Sequence, residues 1–566
     1  VLAAVAWLGT PRLEDALRRR LEAGARRHGW TLRIDALRVR PWRPLVIAGL
    51  RLDGPGGASL ALDGLEAAPR HLGAGLFGLR VDAGRAVLAG PAGLAVELEP
   101  TRWDVAAAGH VYAALRGPVG SLELSFTRAG RVARFAASAH GLRAERLLAI
   151  RRNGLPLVDP GVLDGVVRVS TADGTSTFDA AVRGAGTRVA ALANDGDPAS
   201  GAAPVFGEPA DLAIGLEGHW RADAGVLDLR GWSLASAAAR VSGTLQVAGL
   251  PADPAVDLSL HVERVDFARL FRASGLDQPL AVATSGAGLP GASNLGAVEI
   301  RASARGRLAD PGSFDVSQQV DFTPPRRPVP AIEKLRGDFA HEVTRRGGGR
   351  ATILVSPASP DFVALDEVPP LFVRTLLIGE DSGFFGHRGV DLSALPEAIL
   401  TNWARGGAVR GASTITQQLA KNLFLSGERR LGRKVQELCL ALLLEAALDK
   451  QRILEIYLNV IEWGPDLYGL RPAARRYFGR DPAELTPKQM AFLVALVPGP
   501  IKYQRSLRNG GPSPAFQRLV DNLLAKLRSV DALTEEEYQA ALAEPLIVGP
   551  AAAPGDEEMS GNAPSS

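Results

Sequence analysis

The sequence predicts an α+β multidomain protein: an elongated, antiparallel β-rich N-terminal region followed by a mainly α-helical domain. Three observations carry this expectation. The chain has 566 residues, more than one ordinary hydrophobic core serves. Up to about residue 355, short segments alternate apolar and polar residues with period two, the pattern of half-buried antiparallel strands. Beyond about residue 360 the apolar residues recur at helical spacing instead. A content of 46% hydrophobic and 22% charged residues belongs to an ordered globular protein. The formal net charge of +3 is too small to point to nucleic acid as a partner. The single cysteine, Cys439, excludes an intrachain disulfide framework and a multi-thiolate metal site.

In chain order, Val1 to Gly9 (V-L-A-A-V-A-W-L-G) is apolar throughout. A bilayer span needs about 20 such residues, so this run is expected to be the remnant of a membrane anchor or signal segment, with an ordinary apolar start as the other reading. Pro11 to Trp30 follows as an Arg-rich amphipathic helix, suited to a membrane surface or to a solvated face; residues 1–30 make the first segment. Residues 31–345 form the β-rich region, with strands expected at 32–39, 50–53, 60–63, 94–99, 122–126, 226–230 and 256–262, separated by Gly, Pro and Asp-Gly turns. Its histidines are scattered without ligand spacing, so no metal is expected there. The texture of an apolar start followed by short alternating strands resembles the AsmA-like proteins of the Gram-negative envelope. That likeness implies an elongated periplasmic β-structure with a lipid-accommodating groove; a plain scaffold is the simpler expectation. Proline clusters at Thr323 to Pro330 and Ser356 to Pro360 resist helix and central strand alike, and the domain boundary is placed near 345–360. Helices are expected at 370–379, 392–404, 413–424, 431–448, 451–461, 470–478, 487–496, 514–527 and 534–542, within a domain of residues 346–550 joined by short connections. Residues 551–566 are small and polar, as in a disordered tail.

Polar groups concentrate between Glu380 and Gly464. Glu380 ends an apolar helix and enters a Gly-rich loop: it is either a helix-terminal carboxylate facing water or a partly desolvated one whose raised pKa suits general acid–base work. Glu437 stands one turn after Arg433 and three residues after Lys434. It either forms a surface i,i+4 pair or turns inward with Leu438, Ala441 and Leu442. Ser413, Gln417 and Lys421 fall four apart on one helical face, with Thr414, Gln418 and Asn422 on the next. So many hydrogen-bonding groups are costly to bury unless they meet a polar ligand. Lys421, Arg433 and Lys434 together suit a pyrophosphate through charge-assisted bonds.

Taken together, the order and spacing of these groups resemble the family 51 glycosyltransferases, the peptidoglycan glycosyltransferases found alone or at the front of class A penicillin-binding proteins. The motifs are E-D-x-x-F-x-x-H-x-G at Glu380–Gly389, G-x-S-T-x-T-Q-Q-L-x-K-N at Gly411–Asn422, R-K-x-x-E at Arg433–Glu437 and I-L-E-x-Y-L-N at Ile453–Asn459, with A-A-R-R-Y-F-G at Ala473–Gly479. The likeness covers about residues 360–545. It implies a lysozyme-like helical fold working at the membrane surface. Lipid II would be polymerised with inversion and undecaprenyl pyrophosphate released, Glu380 being the general base and Glu437 the second, supporting carboxylate. It also implies substrate contacts from Asp381, Phe384, His387, Ser413, Thr414, Gln417, Gln418, Lys421, Asn422, Arg433 and Lys434. Glu455, Tyr457 and Asn459 are assigned to structure, and Leu392 to Gly407 to a membrane-facing lid. No cofactor is required, though a divalent cation (Mg or Mn) at the donor pyrophosphate is admitted. Partners implied are lipid II, the lipid-linked glycan, the membrane surface and cell-wall synthesis proteins, with no nucleic acid. The location implied is the bacterial inner membrane, with a single N-terminal anchor and the catalytic domain on the periplasmic side. No S-x-x-K or K-T-G follows residue 545, so no cross-linking chemistry is expected there. A lysozyme-like glycan-cleaving enzyme and a catalytically idle envelope protein binding lipid or a partner are the alternative readings.

Overall fold

The computed structural model describes residues 11–548 apart from 28, 40–42, 55–56, 72–76, 91–93, 108–109, 118, 153–154, 190–209, 251–252, 274–294, 347, 394–412, 426–430 and 508–511. The expected anchor remnant, most of the expected lid and the expected tail therefore lie outside the described residues. Two compact units are present, one drawn mainly from residues up to Asp321 and the other mainly from Phe322 onward.

The first unit opens with helix α1 (Pro11–Arg27), where Glu14 accepts a 2.9 Å bond from the Val39 amide. The strands expected from alternation are present. Twenty strands join in one sheet whose recorded ladders are antiparallel, and most run longer than the apolar alternation alone marks out. Two long strands fork. Ser59–His71 pairs through Leu65 to His71 with Phe77–Ala83, and through Ser59 to Leu62 with Ala86–Ala89. Thr175–Val189 pairs first with Val162–Ala172, then through Arg188 and Val189 with Leu155–Asp159. Following the ladders from one fork to the other, by either route, returns to the start, so twelve strands make a closed circuit. Closure removes edges that would otherwise template aggregation. At the second fork the register slips between Gly184 and Thr187, and Gly186 there holds φ +69°, a conformation glycine adopts at little cost. One face of the sheet carries Phe126 opposite Phe135, Phe135 opposite Val169 and Val169 opposite Phe178. The other carries ion pairs such as Arg168–Asp179 at 2.9 Å. From Ala210 to Asp266 the chain continues as a meander, followed by α2 (Phe267–Ala273) and the last two strands, ending at Thr323.

The second unit begins before the boundary expected at 345–360. The prolines from Pro324 end the sheet, and after a short turn, α3 (Pro330–Glu333), the hairpin Phe339–Thr344/Arg350–Val355 pairs only within itself. It joins the helical unit because the Arg452 guanidinium reaches back to the Leu335 carbonyl at 2.9 Å and the Gly337 carbonyl at 2.6 Å. The helices are α4 (Pro370–Glu380), α5 (Ile415–Phe424), α6 (Leu431–Ala447), α7 (Lys450–Val460), α8 (Leu470–Phe478), α9 (Pro487–Leu496), α10 (Pro500–Leu507), α11 (Pro514–Ser529) and α12 (Glu535–Ala543). Local chemistry sets their ends. Thr486 and Thr534 each open a helix with a capping box, through Gln489 and Glu537, and Gly479 closes α8 in the left-handed region at φ +64°. Helix α10, between two prolines, has too few apolar residues to show a period and was not expected. The core gathers Trp463, Tyr457, Phe372, Phe492 and Phe516, all fully buried. No helix among the described residues is long and apolar enough to cross a membrane.

Asn459 fastens the segment leading into α4. Its carboxamide oxygen accepts from the Val363 amide at 2.9 Å, and its nitrogen donates to the Val363 carbonyl at 2.8 Å. Replacing Asn459 by Ala leaves both buried backbone groups without partners, a cost of about 2 kcal/mol or more. Thermal unfolding followed by near-ultraviolet circular dichroism is expected to show a lower Tm for the helical unit, with the β-rich unit's transition unmoved.

Candidate active site in the helical unit

Glu380 is the last residue of α4, and the turn after it folds under α5. Asp381 drives that turn. Its carboxylate accepts from His387 Nε2 at 2.9 Å and from the Ile415 amide, the first N–H of α5, at 2.8 Å. The Gly389 amide donates to His387 Nδ1 at 3.1 Å, so Nε2 carries the proton given to Asp381. Thr414, the N-cap of α5, accepts from the Gln417 amide and donates to the Gly389 carbonyl at 2.8 Å. Phe384 is fully buried beneath this loop, with the Lys450 ammonium 4.3 Å from its ring centroid. Lys450 and Thr416 both bond Glu445 Oε1, at 2.7 and 2.6 Å. Asp381, Phe384, His387 and Thr414 are thus turned into the protein, where they tie the Glu380 loop to the start of α5.

Helix α5 carries the remaining groups along adjacent rows, as its four-residue spacing requires. On one row Gln418 donates from Nε2 to Glu380 Oε2 at 2.8 Å, and its Oε1 accepts from the Tyr457 hydroxyl at 2.8 Å. On the next, Gln417 Oε1 accepts from Lys434 Nζ at 2.8 Å. Lys434 also donates to Ser413 Oγ at 2.7 Å and to Glu437 Oε2 at 2.9 Å. Arg433 Nε stands 3.0 Å from Glu437 Oε1. Both readings of Glu437 therefore hold in part: the i,i+4 pair forms, and the carboxylate is nonetheless buried, with 6% of its side chain exposed. Asn422 bonds back to the Gln418 carbonyl at 3.0 Å, one helical turn away.

Glu380, at the end of α4, and Glu437, on α6, face neighbouring rows of α5, and Lys421 feels both. Burial pushes the Lys421 ammonium below its ordinary pKa; Glu437 pulls it back up, Arg433 and Lys434 press it further down, and Glu380 raises it. Glu380 moves the other way. Burial raises its pKa, the Gln418 bond and Lys421 lower it, and Asp381 adds to the rise. Part of Glu380 stays open to solvent, and among the described residues only Oε2 is hydrogen-bonded. The arrangement offers a half-buried carboxyl of raised proton affinity on one side of α5 and three cations around its other row.

Two of the three residues assigned to structure behave so: Glu455 accepts from the Leu365 amide at 3.2 Å, and Asn459 holds Val363. Tyr457 does more, since its hydroxyl reaches the partner of Glu380. Its signal was present: a phenol on the buried face of α7, among Ile453, Leu454, Ile456 and Leu458, needs a polar partner inside. Glu445 belongs to none of the motifs, and its bonds to Thr416 and Lys450 are made by the fold.

A carboxyl with a raised folded pKa costs stability once it is ionised in both folded and unfolded chains. Glu380→Gln is therefore expected to raise the Tm at pH 7. The gain should fade as pH falls through the raised pKa and vanish below the ordinary 4.5. Differential scanning calorimetry across that range checks the sign.

The helical unit matches known proteins. The family model described as Transglycosylase matches residues 350–525. A biosynthetic peptidoglycan transglycosylase of Alcanivorax borkumensis is 48% identical over 170 residues, covering 30% of this chain and 68% of that protein. One of Nitrobacter winogradskyi is 40% identical over 181 residues, 32% of this chain and 78% of its own. Penicillin-binding protein 1A of Aquifex aeolicus is 40% identical over 187 residues, 33% of this chain but only 25% of that protein. The chain thus spans a quarter of that larger relative and about two thirds or more of the two smaller ones.

Proposed function

The chain belongs to the transglycosylase family, and on that footing we propose that its helical unit is a peptidoglycan glycosyltransferase that polymerises lipid II into glycan strands. The observation that carries the reading is the half-buried, raised-pKa Glu380 against one row of α5 and the Lys421, Arg433 and Lys434 cations about the next.

The proposed step runs as an inverting displacement. The 4-hydroxyl oxygen of the acceptor's terminal GlcNAc bonds to the anomeric carbon of the donor's MurNAc. The bond from that carbon to the pyrophosphate oxygen breaks, and the hydroxyl proton passes to Glu380. Undecaprenyl pyrophosphate departs with the electron pair, its charge met by Lys421, Arg433 and Lys434. Oε1 of Glu380 is the oxygen available for the proton, because Oε2 is held by Gln418. Glu437 organises the cations: it anchors Lys434 and Arg433 while Ser413 and Gln417 orient the Lys434 ammonium. A Mg or Mn ion at the pyrophosphate would look to Glu437 for a ligand, and both oxygens of that carboxylate already face Arg433 and Lys434. In the proposal Lys421, Arg433 and Lys434 meet the pyrophosphate charge themselves. The donor and product lipids put the reaction at a membrane surface of the cell envelope, with the helical unit on the periplasmic side of the inner membrane and other cell-wall synthesis proteins as its neighbours.

With the full chain on vesicles carrying lipid II, Glu380→Gln is expected to lower polymerisation by about 10²-fold or more, with the lipid II KM little changed. The rate should be bell-shaped in pH. The acid limb, where Glu380 must lose its proton, lies above the ordinary carboxyl range, and the basic limb, where Lys421 loses its charge, lies below the ordinary ammonium range. Full activity in the Gln variant would remove the base.

A further inference from the structure

Tyr457 has no exposed surface of its own for a substrate to touch. It is fully buried, and its hydroxyl meets Gln418 Oε1 at 2.8 Å. Gln418 in turn gives its Nε2 to Glu380 Oε2 at 2.8 Å. The middle member of this chain has two possible orientations, because a carboxamide flipped about its last bond exchanges donor and acceptor. With Nε2 towards Glu380 the amide stabilises an ionised carboxylate. With Oε1 towards it, two lone-pair oxygens face each other, which is tolerable only if Glu380 carries a proton. The phenol decides between them. Its burial, reinforced by the nearby charges of Glu380 and Asp381, keeps it protonated, and a buried O–H needs an acceptor, which Oε1 supplies in the first orientation alone.

We propose that Tyr457 is a positioning residue for the base: its hydroxyl locks the Gln418 carboxamide with the NH2 group towards Glu380, holding the carboxylate ready to accept a proton. The inference rests on the assignment of Glu380 above and reaches beyond it, to a side chain on a different helix. The other charged groups facing this chain are Lys421 from α5 and Asp381, itself bonded to His387, from the loop after α4. All are unchanged when only the phenol oxygen is removed.

The test is the pH–rate profile of lipid II polymerisation by the full chain carrying Tyr457→Phe. Without the lock, the amide samples both orientations and Glu380 holds its proton to higher pH. The acid limb is expected to move up by about one unit, a roughly tenfold loss of kcat at a fixed pH on that limb, with KM unchanged and the rate recovered at higher pH. Gln418→Leu should produce the same shift, and the double variant no more than Gln418→Leu alone. A rate loss of equal size at every pH, or losses that add in the double variant, would show a packing role and overturn the proposal. The two levels of inference separate cleanly. An active Glu380→Gln enzyme defeats the base itself, whereas an inactive Glu380→Gln beside an unmoved Tyr457→Phe profile defeats only the lock.

Discussion

The site hangs on one buried carboxylate that is not the candidate base. Asp381 follows Glu380 directly and bonds both His387 and the first amide of α5. The first N–H groups of a helix have no partner within it, and a negative charge there also meets the positive end of the helix dipole. A single side chain therefore satisfies an orphan donor, closes the six-residue loop back on itself and sets where α5 begins relative to Glu380. Everything on α5 inherits its position from that contact. Gln418 falls beside Glu380, and Gln417 falls beside Lys434, because they are one residue apart on a helix whose start is pinned.

Polar residues in such number are tolerated because they are paired before any ligand arrives. Ser413, Gln417 and Glu437 converge on one ammonium. Thr414 closes the helix cap, and Thr416 shares Glu445 with Lys450. Unpaired, each buried group would cost about 1–3 kcal/mol. Paired, they cost little and hold one another rigid, which is what a site needs if geometry is to be fixed in advance.

How much of this could be read from the chain depends on the range of the interaction. The helices with strong periods and caps were legible: α8 and α9 have the expected limits, because Thr486, Pro487 and Gly479 mark their ends locally. The strands were legible as alternation, but the forks at Ser59–His71 and Thr175–Val189 were not, since a strand's choice of two partners is made by residues far away in sequence. The hairpin at Phe339–Val355 read as the end of the β-region for the same reason. Its allegiance is decided by Arg452, about a hundred residues later. Within the site, spacing identified which residues crowd together on α5, and the motifs named Glu380 and Glu437. Spacing could not say that Asp381, Phe384, His387 and Thr414 face inward while Ser413 and Lys434 meet, because those facts belong to the loop that Asp381 folds.

The two carboxylates differ in what surrounds them. Both are largely surrounded by protein. Glu437 has a cation against each oxygen, Arg433 on one and Lys434 on the other. Glu380 has a neutral amide on one oxygen and Lys421 in its neighbourhood, with the charge of Asp381 close behind. Burial then prevails over the stabilising contacts, and affinity for a proton rises. A half-buried carboxyl of raised proton affinity beside a row of cations is what distinguishes this half of α5 from the other. The asymmetry comes from which row each glutamine occupies: Gln417 hands its oxygen to an ammonium, Gln418 hands its nitrogen to a carboxylate, and one residue's step along the helix separates a charge that is held from a charge that is available.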